Sequence, residues 1–117
     1  MDAEYSDMRH LRRYDRVGFM CKLELAGPSG DAPQPAQATD LSLGGVGAVT
    51  SAVFSPGQMV TVTFFRRDFK HGEMVDRVLG QVANFSADVD ANKLGIQFLK
   101  PLDEAEHPAL VDKLVSI

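Results

Sequence analysis

From Val17 to Leu25 every odd position is apolar (Val17, Phe19, Cys21, Leu23, Leu25), while Lys22 and Glu24 take the opposite face. An apolar residue at every second position belongs to a pleated strand with one buried face, and no helix satisfies that period. The rest of the chain is punctuated in the same manner. Gly27-Pro28-Ser29-Gly30 reads as a turn, because proline presets φ and glycine accepts positive φ; Asp40 to Gly45 reads as a second and Ser55-Pro56-Gly57-Gln58 as a third. Residues 32–39 are polar and contain prolines, so a strand there is expected at a sheet edge or as an irregular piece. Val46 to Thr50 is a short strand of small residues, and Met59 to Phe65 (MVTVTFF) is strand by its β-branched and aromatic content. A polar stretch, Arg66 to Glu73, interrupts it. Met74 to Phe85 is the returning strand, with Gly80 as its expected bulge, and Leu94 to Leu99 follows a loop around Asp88 to Asn92. Strands joined by short turns over about 85 residues predict an all-β, mainly antiparallel sandwich or small barrel.

Past Pro101 the period changes, and Leu110, Val111, Leu114 and Val115 recur at helical spacing. Pro108 suits the first turn of that helix, with His107 near the cap. A start at Asp103, with Asp103 and Glu106 as a capping box, would put Pro108 where it removes a backbone hydrogen bond, so the later start is expected. Phe64, Phe65 and Phe98 are expected in the core.

A chain of 117 residues fits one domain, and can bury roughly two-thirds of its unfolded surface without a metal or disulfide. The one cysteine, Cys21, has no internal partner and no C-x-x-C spacing, so it is expected to be a small buried hydrophobe. His10, His71 and His107 lack the spacing of metal ligands and are expected at the surface. Ser42 lies in DLSLGG, without the glycines of a nucleophile elbow, and GGVGAV has neither a P-loop lysine nor a following helical pattern. No acid/base pair stands out, so an enzyme is the disfavoured class. An apolar stretch long enough to span a bilayer is absent, as is a signal-peptide core, so no membrane insertion and a cytoplasmic location are expected.

The formal net charge of −4 opposes general nucleic-acid binding. Against that background, residues 9 to 16 hold Arg9, Arg12, Arg13 and Arg16 with one acid, Asp15. Alone, such a run reads as a solvated tail whose exposed ion pairs are worth under about 1 kcal/mol each. A second motif changes its meaning. Arg12 and Arg16 form R-x-x-x-R immediately before the first strand, and Asp40, Ser42 and Gly45 form D-x-S-x-x-G before a later one. In this order and position the two motifs resemble the PilZ domain, a bacterial receptor module for the second messenger cyclic di-GMP. VLGQVANF, LGIQFL and the terminal helix are similar as well, so the resemblance spans residues 9–117.

The resemblance implies a small six-stranded split β-barrel with a C-terminal α-helix over residues 17–117, preceded by a flexible basic arm, residues 1–16. It implies Arg12 and Arg16 as the leading ligand contacts, with Asp40, Ser42 and Gly45 as the opposite wall and Arg13 as the next contact. Arg9, four residues before Arg13, offers a second register of the same motif, and Gly44 and Asn84 are further candidates. These residue types suit the ligand. Arginine's planar fork pairs with a phosphate or a guanine O6/N7 edge, aspartate accepts from guanine N–H groups, a serine hydroxyl does either, and glycine admits close approach. The implied function is a signalling receptor or adaptor in pathways such as motility or biofilm control, with cyclic di-GMP as ligand, no cofactor and a downstream protein partner. One alternative is a nucleotide-independent interaction module, as in pilus-assembly members that lack the motifs. The other is a basic-armed barrel for single-stranded nucleic acid, for which Arg66, Arg67, Lys70 and His71 would form a second basic cluster.

Overall fold

The computed structural model describes residues 16–27, 32–68 and 72–115. Strands β1 (Val17–Ala26), β2 (Gln34–Ser42), β3 (Gly45–Thr50), β4 (Met59–Asp68), β5 (Gly72–Ser86) and β6 (Asn92–Phe98) are followed by one helix, α1 (Pro108–Val115). All six pairings are antiparallel, and the ring runs β1-β2-β3-β6-β5-β4 and back to β1, a closed barrel.

The alternation in β1 is what fills this barrel. Phe19, Cys21, Leu23 and Leu25 all point inward and are buried, where they meet Leu41, Val46, Val62, Phe64, Val82 and Ile96. Phe64 is fully buried, with ring centroids 6.3 Å from Phe19 and 6.4 Å from Phe98. Helix α1 begins at Pro108, where the missing N–H costs nothing, and adds Leu110 and Val111 to the same cluster. Cys21 is the buried hydrophobe expected of it: desolvation, above all, pushes its thiol pKa up, and its Sγ lies 3.3 Å from the Phe65 carbonyl.

Several local expectations are corrected. Residues 34–42 form a strand with neighbours on both sides rather than an edge, because closure leaves this ring no edge, and the irregularity in it is one register shift between Ala38 and Asp40. Pro35 fits there since the β2–β3 ladder begins only at Ala36 opposite Thr50, and the Pro35 carbonyl accepts a 2.7 Å bond from the Thr50 hydroxyl. The Asp40–Gly45 turn shrinks to Leu43-Gly44, as Asp40 and Ser42 belong to β2 and Gly45 to β3. Polar residues 66–68 and 72–73 do not break the hairpin; Arg67 pairs with Glu73, and their side chains meet at 2.6 Å. Gly80 is no bulge. It is in register with Val60 and Phe98, and a Cβ there would lie 2.6 Å from Ile96 Cγ2, so glycine lets β5 and β6 approach. Phe65 is half-buried, with the Lys22 ammonium 5.6 Å from its ring centroid. His107 is not a surface residue: its Nδ1 lies 2.9 Å from the buried Asp76 carboxylate.

Candidate functional site

Two β-bulges shape one outer face of the barrel. Ala38 and Leu41 both point into the core although they are three residues apart, because the register shifts between Ala38 and Asp40. Strict alternation from Ala38 would send Asp40 inward; the extra residue, Thr39, turns it out. β5 does the same. Val82 is buried and Phe85 packs against the core, and the shift between Val82 and Asn84 leaves Asn84 outside.

The consequence is a row in register across five strands: Gly18, Asp40, Gly47, Gly95, Asn84. Asp40 stands between two glycines, and two adjacent strands present no side chain at all between Asp40 and Asn84. With strands about 4.8 Å apart, the backbones of Asp40 and Asn84 are separated by about 14 Å. A Cβ on Gly47 would lie 2.5 Å from Asp40 Oδ2, and one on Gly95 would lie 2.9 Å from Asn84 Nδ2. Both polar side chains therefore lean over the bare backbone from opposite sides.

Arg16 precedes β1, and its Nη1 donates to Asp40 Oδ1, closing an ion pair between residues 24 apart in the chain. Their side chains are 55% and 33% exposed, so water screens the pair and it holds Arg16 by under about 1 kcal/mol. Asp40 Oδ2 also accepts a 3.2 Å bond from the Thr39 hydroxyl. Ser42 is buried and its hydroxyl is used locally: it accepts from the Gly44 N–H at 3.2 Å and donates to the Gly45 carbonyl at 3.4 Å. The turn it closes is held from behind as well, since the Gly44 carbonyl accepts from the Phe98 N–H at 2.9 Å and the Leu43 carbonyl from the Leu102 N–H at 2.8 Å. Two shallow depressions of about 440 and 430 Å³ flank the row and share Arg16, Asn84 and Gly95. Ser42, Gly44 and Gly45 line the first, and Asp40, Gly47 and Lys93 the second.

Of the residues singled out in the sequence, Arg16, Asp40, Ser42, Gly44, Gly45 and Asn84 thus lie on one face. Arg9, Arg12 and Arg13 lie outside the described residues, as do Lys70 and His71. Arg66 and Arg67 belong to β4, which contributes no residue to this row; the Arg66 guanidinium sits 5.5 Å from the Phe19 ring centroid. Gly47 and Gly95 were not singled out, although a glycine inside a strand pattern, as in GGVGAV and LGIQFL, is itself a sign of close approach. Among the described residues no group of three His, Cys, Asp or Glu could hold a metal ion, and no helix is long and apolar enough to cross a membrane.

Gly45 carries a structural demand of its own. A Cβ there would lie 2.4 Å from the Ile96 carbonyl oxygen, which is backbone and cannot step aside. Gly45→Ala is expected to destabilise the barrel by roughly 1 to 3 kcal/mol, lowering the thermal midpoint by about 4 °C or more. Thermal denaturation followed by circular dichroism checks this, and an unchanged midpoint would show that β3 and β6 can part without cost.

The family described as PilZ domain matches residues 10–116 of the chain. Comparison with curated proteins gives no match. Among solved structures, the Bacillus subtilis inhibitor of motility MotI/DgrA superposes with a TM-score of 0.67 at 13% identity, over 86% of this chain and 48% of the other, so the chain spans about half of that protein. The PilZ domain of YcgR from Escherichia coli, determined with c-di-GMP, gives 0.65 at 18% identity, over 89% and 88% of the two chains. The PilZ domain of CeSA from a cellulose-synthesizing bacterium gives 0.60 at 15% identity, over 87% and 96%. At these identities the likeness is one of fold, and the six-stranded barrel with its C-terminal helix is the part shared.

Proposed function

The chain belongs to the PilZ domain family, and we propose that it is a receptor that binds cyclic di-GMP on the face carrying Arg16, Asp40 and the glycine row, and passes the signal to a protein partner. The observation that carries this reading is the meeting of Arg16, from the first motif, with Asp40, from the second, beside the buried Ser42 turn. In the reading, ligand replaces a weak ion pair by stronger bonds. The Arg16 fork leaves Asp40 and takes a phosphate or a guanine O6/N7 edge, and the freed carboxylate accepts from guanine N–H groups. Arg12 and Arg13, or Arg9 in the other register, supply further positive charge from the N-terminal arm. Ser42, Gly44 and Gly45 present the turn backbone to the ligand. The change of contacts at Arg16, where the arm meets β1, is what a partner would sense; the YcgR domain determined with c-di-GMP and the inhibitor of motility among the structural neighbours favour such a role, with motility as the process.

Calorimetric titration with cyclic di-GMP, with GTP and a short oligonucleotide as comparisons, tests the reading. Micromolar or tighter binding of cyclic di-GMP is expected, about −8 kcal/mol or beyond, weakening as salt is raised. No binding of cyclic di-GMP would overturn it, and tighter binding of the oligonucleotide would favour the nucleic-acid alternative.

A further inference from the structure

A glycine inside a strand weakens it, because it orders more backbone and packs no side chain, so an interior glycine calls for a reason. For Gly45 and Gly80 the reason is the barrel itself. Their Cβ positions would collide with the Ile96 and Gln97 backbone oxygens, at 2.4 and 3.0 Å. Gly47 and Gly95 have no such reason. Neither has a positive φ, a property confined among the described glycines to Gly57 and Gly72. The three atoms nearest each Cβ position belong to one outward side chain, Asp40 at Gly47 and Asn84 at Gly95, rather than to backbone. The barrel could carry alanine at both positions.

We infer that Gly47 and Gly95 form the floor of the ligand site, a side-chain-free strip that receives the flat face of a purine ring while Asp40 and Asn84 address its two edges. The inference rests on the functional reading above and adds to it the part of the site that neither sequence motif contains. Two adjacent glycines in register carry only peptide planes and Cα–H groups, Gly95 part-exposed and Gly47 buried beneath the Asp40 carboxylate, so that once Asp40 turns to a ligand edge the strip offers a flat surface that suits an aromatic face. The surroundings supply the edges. Asp40 accepts hydrogen bonds only and so prefers the N–H edge of guanine to the N1 lone pair of adenine; the Asn84 amide can donate to a ring nitrogen on the other side. Arg16 stands at the junction of the two depressions, within reach of the phosphates.

The test is a double-mutant cycle read by calorimetric titration with cyclic di-GMP, each variant accompanied by a thermal melt. Gly47→Ala and Gly95→Ala are each expected to weaken binding about ten-fold or more, since a methyl lifts the ring out of contact, with thermal midpoints within about 2 °C of the parent. In the Asn84→Ala background the three atoms nearest the new methyl at Gly95 are gone, yet Gly95→Ala is expected to cost a further loss of similar size. Full affinity in both glycine variants would overturn the floor and leave the functional reading intact. The absence of any further loss in the Asn84→Ala background would also overturn it, reducing Gly95 to room for the Asn84 side chain. So would a fall in midpoint like that expected for Gly45→Ala, which would make these glycines structural. Failure of the parent protein to bind cyclic di-GMP is the separate result that removes the functional reading, and the floor with it.

Discussion

Arg16→Ala is expected to weaken cyclic di-GMP binding more than ten-fold while leaving the thermal midpoint unchanged. Two charge-assisted hydrogen bonds from one guanidinium contribute about 1.5 to 3 kcal/mol each, and the variant loses both. Part of that loss is offset, because the parent must first break the Arg16–Asp40 pair. With the arginine 55% exposed the offset is small, under about 1 kcal/mol. The net is roughly 2 to 5 kcal/mol, and 1.4 kcal/mol is already a factor of ten. Arg16→Lys separates charge from shape: it keeps the charge, loses the planar fork, and is expected to stay well below the parent. The same titrations decide the register of the motif. If Arg12 and Arg16 work together, Arg12→Ala falls with Arg16→Ala and Arg9→Ala does not; an unchanged titration for Arg16→Ala would move the site to Arg9 and Arg13.

How much of this was legible in advance depends on whether a feature was written in a local period. The β1 alternation, the β4 composition and Pro108 at the start of α1 were all visible, because each rests on neighbours in sequence. The family resemblance named the barrel and singled out Arg16, Asp40 and Ser42, which line the two neighbouring depressions. Bulges were not visible. Nothing in QPAQATDLS shows that Thr39 is the extra residue, and counting by twos from Ala38 places Asp40 in the core. That slip is set by the β2–β3 register, a long-range property, and it decides whether the carboxylate faces outward or into the core. Gly80 looked like the bulge because glycines often mark bulges, yet the bulge is at Ala83, which no composition rule selects. The five-strand row could not be read at all without the pairings. Its members, Gly18, Asp40, Gly47, Gly95 and Asn84, fall within five different strands, and only closure of the sheet sets them side by side. His107 was misplaced for the same reason: its partner, Asp76, lies 31 residues away on β5.

That pair carries the largest expected effect on stability. Asp76 occupies an inward position on β5, opposite the fully buried Phe64, where an apolar side chain would be the ordinary choice. Its carboxylate and the His107 ring are 8% and 15% exposed, with Nδ1 and Oδ1 2.9 Å apart; with Asp76 ionised the ring nitrogen is the donor. Among the described residues Asp76 Oδ2 is buried without a hydrogen-bond partner, and His107 is the partner of Oδ1. The backbone of His107 is committed too. Its N–H donates to the Asp103 carbonyl at 2.7 Å, and its carbonyl accepts the Val111 N–H at 3.1 Å, the first bond of α1. His107→Ala would therefore leave a buried carboxylate unpaired at the point where the C-terminal segment is fastened to the barrel. A cost of about 3 to 5 kcal/mol is expected, a large share of the roughly 5 to 15 kcal/mol that holds a domain of this size. Urea denaturation measures it. Asp76→Ala combined with His107→Ala removes the stranded charge together with its partner, and is expected to recover much of the loss, so that the double variant is more stable than His107→Ala alone. If His107→Ala lies within about 1 kcal/mol of the parent, or if the two losses simply add, the pair is not what fastens the segment. The site would register the difference, because Leu102, in that same segment, holds the Leu43 carbonyl of the turn that Ser42 closes.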